Sequence, residues 1–193
     1  MNKIFGITAL LIIFLSSISM NVKEQDFHVR IEQNGKLIEP INGLVTLDKS
    51  EFNIVFEFSE PMGLLLNGSF KKKTYKLASK GKPKSQLIGF QNTGMAEGLL
   101  NPDKEIFISN ESPNYWFYDD DEENRFNSVE KINGKYLCKR IIQNLFNIDT
   151  KKNIKVEDVS KPLYLVFISY KRGEKVTDEI EMKREWIKIK WNK

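Results

Sequence analysis

From residue 27 onward the apolar side chains recur at every second position, and Asn-Gly pairs and prolines punctuate the runs. That period sends successive side chains to opposite sides of a strand, so short half-buried strands are predicted almost throughout. Phe27, Val29 and Ile31 alternate with His28, Arg30 and Glu32, and Asn34-Gly35 supplies the backbone freedom of a two-residue hairpin turn. Residues 36–39 form the return strand. Asn42-Gly43 offers a second such turn before a short strand at 44–47. The clearest strand is 52–58, with Phe52, Ile54, Phe56 and Phe58 on one face and Asn53, Val55 and Glu57 on the other. Pro61 and Gly63 stop it. Further strands are predicted at 64–66 and 70–77 around a turn at Asn67-Gly68, whereas the glycine-rich stretch 78–105 reads as a long loop with one short strand at 87–90.

Strands resume at 105–109 and 115–118, and a pair at 125–132 and 135–142 flanks Asn133-Gly134. Residues 137–146 also fit a short helix, because Leu137, Ile141 and Leu145, and likewise Ile142 and Phe146, repeat at helical spacing. Residues 163–170 are apolar on both faces, as in a strand buried at the middle of a sheet. Near the end, Ile180 and Met182 are even-numbered whereas Ile187, Ile189 and Trp191 are odd, so a bulge or bend is expected between Lys183 and Trp186. About ten short strands without a sustained amphipathic helix predict an all-β fold, an antiparallel β-sandwich of immunoglobulin-like or jelly-roll-like type.

The first nineteen residues follow a different pattern. Lys3 precedes an apolar run from Ile4 to Leu15, and small side chains at Ser17 and Ser19 stand where a signal peptidase cleaves. Residues 1–19 therefore read as a signal peptide and 20–193 as one β-sandwich domain. An uncleaved anchor is the alternative. The expected location is periplasmic or extracellular, with no stable membrane insertion after cleavage.

Composition removes several classes of function. The formal charge of +4 falls to +3 without Lys3, a small excess on a chain with 29% charged residues. Lysines outnumber arginines 25 to 5, and arginine is the residue suited to bidentate phosphate and base contacts, so no nucleic-acid partner is expected. Cys138 is the sole cysteine, which excludes an intrachain disulfide, and its apolar neighbours mark it as a small buried hydrophobe. His28 is the sole histidine, so neither a zinc site nor a Ser-His-Asp arrangement is expected, and no cofactor is implied. Carboxylate chemistry remains open, but the alternating acids Glu179 and Glu181 meet Lys183 before Glu185.

Two stretches carry the candidate sites. In YWFYDDDEE, residues 115–123, four aromatics run into five acids. Trp116 and Tyr118 share one strand face, and with Asp119, Asp120 and Asp121 they would suit a sugar, stacking on its ring and accepting its hydroxyl hydrogens. The plainer reading is a core strand that leaves into a solvated turn. Residues 71–84 hold seven lysines and no acid; Lys71, Lys72, Lys73 and Lys76 stand at its head as candidate contacts to an anionic surface. The alternative is a solvated hairpin with a lysine-guarded edge. Together these features favour an exported, non-enzymatic binding protein of the bacterial envelope acting through protein-protein contacts, either inhibitor- or immunity-like or a subunit of an envelope assembly. The alternative function is a carbohydrate-binding or carbohydrate-cleaving sandwich using Trp116, Tyr118 and nearby carboxylates.

Overall fold

The structure, a computed structural model, describes residues 27–60, 62–92, 105–118, 126–172 and 179–192. Within them lie β1 (Phe27–Gln33), β2 (Lys36–Ile38), β3 (Leu44–Leu47), β4 (Phe52–Phe58), β5 (Met62–Ser69), α1 (Lys73–Ala78), β6 (Ile106–Ile108) and β7 (Asn114–Tyr118). There follow β8 (Ser128–Ile132), β9 (Lys135–Ile142), β10 (Asn144–Asn147), β11 (Lys152–Lys155), β12 (Leu163–Arg172) and β13 (Glu179–Trp191). One sheet has the order β2-β1-β4-β9-β8; the other runs β11-β10-β6-β5-β12-β13-β3, with β7 pairing to β5. The fold is all-β and sandwich-like, with one short helix. The first sheet is antiparallel throughout, whereas the second also contains the parallel pairs β3–β13, β6–β10 and β5–β6.

The alternation seen in the sequence fills the space between the sheets. Phe27 and Ile31 from β1 and Phe52, Ile54, Phe56 and Phe58 from β4 meet Leu64, Leu66, Leu165, Phe167, Ile187 and Ile189 of the second sheet. Phe56 lies at the centre, its ring 6.2 Å from Phe27, 5.8 Å from Trp116, 5.5 Å from Phe126 and 5.6 Å from Phe167. Cys138 is fully buried there, and that burial pushes its thiol up to about 12, so it remains neutral and inert. A second apolar layer covers the outer face of the larger sheet, where Leu65, Val166, Ile168 and Tyr170 pack with Ala78, Leu87 and Phe90. β12 is thus covered on both sides and flanked by β5 and β13, as its unbroken apolar run predicts.

Three Asn-Gly pairs form the expected turns, with positive φ at Asn34, Gly35, Asn42, Gly43, Asn133 and Gly134. The fourth does not. Asn67-Gly68 lies inside β5: the Asn67 amide donates to the carbonyls of Ser109 and Ser112, both at 3.2 Å, while Gly68 admits β6. A Cβ on Gly68 would stand 2.9 Å from Ile106.

Residues 70–77, expected as a strand, instead lead into α1. Thr74 and Ala78, one helical turn apart, are buried, and Tyr75 and Leu77 pack on the outer layer. The intervening lysines hide this short 3.6-residue period. Residues 87–90 form a 3₁₀ turn rather than a strand, and 137–146 form β9 and β10 rather than a helix. The bulge exists slightly upstream of its expected place: Ser169 pairs with Lys183 and Tyr170 with Glu181, which leaves Met182 as the extra residue. The buried Ser169 hydroxyl secures it, accepting from the Lys183 amide at 3.1 Å and donating to the Lys183 carbonyl at 3.2 Å.

Candidate binding surface

Residues 71–84 cross the outer face of the larger sheet as bends, α1 and a following turn. The apolar side of α1 faces the sheet, so its lysines face solvent. Lys71, Lys72, Lys73, Lys76, Lys80 and Lys82 are all exposed, and Lys84 is half-buried. Among the described residues none of those six exposed lysines forms an ion pair with an acid, whereas several cations elsewhere do. Lys139 meets Glu32 at 2.9 Å, Lys135 meets Glu57 at 2.8 Å, and Lys171 meets Glu60 at 2.6 Å. The first turn of α1 contains no acid, and the helix start has no side-chain cap. Lysines at that end oppose the helix dipole, so local helix stability does not account for their presence.

The segment is tied down at two points. The Tyr75 hydroxyl donates to the Gly43 carbonyl at 3.4 Å, and Arg184 Nη1 donates to the Lys82 carbonyl at 2.6 Å. Both ties lead to the edge of the sandwich where the chain crosses from β2 to β3. There His28, Glu39, Asn42, Ser79, Glu185 and Trp186 line a cleft of about 410 Å³, a size typical of ligand pockets. Glu39 pairs with Arg30 at 3.6 Å and Glu185 with Lys183 at 3.8 Å, so the cleft acids are balanced by neighbouring cations. The sequence gives little sign of this cleft, because His28 and Glu185 come from opposite ends of the chain and opposite sheets.

Burial raises the Glu185 carboxyl above its ordinary range, although Lys183 and His28 pull it back in part. A group that holds its proton more tightly when folded contributes stability below its unfolded pKa and loses it as pH rises through the folded value. Glu185→Gln is therefore expected to melt higher than the parent near neutral pH and level with it below about pH 4. Thermal unfolding of both proteins across that range checks this; a parent that melts higher at neutral pH would mean that the Lys183 pair outweighs burial.

The aromatic candidates separate. Trp116 is 3% exposed, its ring 6.4 Å from Phe126 and 5.5 Å beneath the Arg140 guanidinium. It offers no free face to a sugar. The backbone of Tyr118 ends β7 opposite Met62, while Asp119, Asp120 and Asp121 lie outside the described residues, as do residues 1–19. Glu181 is held by Arg184 at 2.7 Å. Among the described residues no group of three or more His, Cys, Asp and Glu side chains is placed to hold a metal, and no helix is long and apolar enough to cross a membrane. Set against family models, curated proteins and solved structures, the chain matches none.

Proposed function

We propose that this is an exported, non-enzymatic binding protein that engages an acidic protein partner through the lysine-rich segment 71–84. One observation carries the reading: six exposed lysines crowd into residues 71–84, which contain no acid, and none of the six forms an ion pair among the described residues. Concentrated like charge raises the local potential and speeds the approach of an oppositely charged surface. Export is supported by the apolar run and small residues of positions 1–19. An inhibitor, an immunity-like protein and an envelope-assembly subunit would all use such a contact.

Zero-length carbodiimide coupling of the native protein in place, read by mass spectrometry, tests the reading, because it joins lysine amines to carboxylates in direct contact. Couplings to another protein are expected to concentrate at Lys71, Lys72, Lys73 and Lys76. Couplings spread evenly over other exposed lysines, such as Lys36, Lys131, Lys152 and Lys190, would count against it.

A further inference from the structure

Attraction between exposed charges governs encounter more than residence, and each such pair contributes at most about 1 kcal/mol. A partner drawn to residues 71–84 needs a second foothold, and β13 provides one beside them. β13 spans Glu179–Trp191, yet β3 covers it only from Lys188 to Trp191. The ladder stops where the Lys188 amide donates to the Gly43 carbonyl at 2.7 Å and the Asn42-Gly43 turn carries the chain away. The Lys183 amide points toward β12, where it meets Ser169. By the alternation of a strand, the main-chain groups of Arg184 and Trp186 point the other way, beyond the end of β3. The Trp186 carbonyl oxygen points to that side too, but the Gly43 turn lies against it, 3.0 Å from where a Cβ would stand, so the uncovered groups are the Trp186 amide and both main-chain groups of Arg184.

Among the described residues no strand pairs with that stretch, and the 410 Å³ cleft opens against it. The other edge strands are shorter: β2 has three residues, β3 and β11 four, and β7 and β8 five. An open ladder edge beside a pocket is the geometry of strand addition, in which main-chain hydrogen bonds hold an extended peptide. Ser79 on the cleft wall immediately precedes Lys80, and Lys82 is tied to Arg184, so the edge and the lysine segment form one continuous surface.

We propose that the cleft receives an extended acidic segment of a partner polypeptide, which adds as a short strand to the edge of β13 at Arg184 and the Trp186 amide. Its carboxylates lie toward Lys80 and Lys82, since Glu39 and Glu185 already have cations. The Met182 bulge limits the docked stretch at the far end. The choice of an acidic occupant rests on the lysine reading above, whereas the docking mode rests on the ladder edge.

The test uses a ten-residue peptide of alternating valine and glutamate, titrated into the mature protein by calorimetry. Two analogues carry N-methyl groups on alternate residues, one in each phase, and a fourth peptide replaces glutamate by glutamine. Strand addition predicts that one methylated phase weakens binding at least tenfold while the other binds like the parent peptide. Methylated analogues that behave alike overturn strand addition even if the parent binds. Phase-dependent binding that is equal for the glutamine and glutamate peptides upholds strand addition and removes the lysine contribution. No binding by either unmethylated peptide overturns both.

Discussion

Phe56→Ala is expected to destabilise the fold by about 3–5 kcal/mol, the cost of deleting a large aromatic from a packed core. Four aromatic neighbours surround that ring, from β1, β7, the segment before β8, and β12, so both sheets line the resulting cavity. The neighbours cannot collapse into the cavity without moving a sheet. Because domains are typically stable by about 5–15 kcal/mol, the loss is a large share of the total. Urea denaturation measures it: the midpoint falls while the slope stays near that of the parent. Phe56→Leu should retain most of the stability, and an alanine variant within about 1 kcal/mol of the parent would mean that the ring is not central to the core.

The second large effect concerns a polar side chain. Asn114 is 1% exposed, and its amide donates to the Leu66 carbonyl at 3.0 Å and the Phe107 carbonyl at 3.2 Å while its oxygen accepts from the Phe107 amide at 2.7 Å. It does work that a ladder would normally do. β5 and β6 pair at one position only, Gly68 with Ile108, so this side chain supplies much of the polar link among β5, β6 and β7. Asn114→Leu keeps the side-chain heavy-atom count but removes all three hydrogen bonds, at about 1–3 kcal/mol for each backbone group left unpaired. A loss of at least about 3 kcal/mol is expected, with faster hydrogen exchange at the Phe107 amide. Unchanged exchange there would show that another group satisfies β6.

Sequence pattern revealed most strands with one face on the core, but not β10 and β11, which place Leu145 in it and Ile154 against it. β1, β4, β9 and β12 all lie where their apolar alternation or unbroken apolar run puts them, and three Asn-Gly pairs turn the chain. Asn67-Gly68 looks identical to those three in sequence, but long-range burial against β6 and the turn at Gly89 decides its role. A Cβ on Gly89 would stand 2.3 Å from Asn67. α1 was hidden for the opposite reason: six residues present too little of a 3.6-residue period to stand out among lysines. The lysine segment itself was visible as a charge run, although its helical placement was not. The cleft was not visible at all, because it arises where β3 ends along β13 and no local spacing records that.

The central claim is that residues 71–84 make the contact with an acidic partner. It is tested most directly by the affinity of the cross-linked partner for two variants, one with Lys71, Lys72, Lys73 and Lys76 changed to glutamate and one with the same four changed to arginine. Charge governs this contact in our account, so the glutamate variant should lose about a hundredfold or more and the arginine variant should bind within about threefold of the parent. A glutamate variant that binds as tightly as the parent would contradict the account.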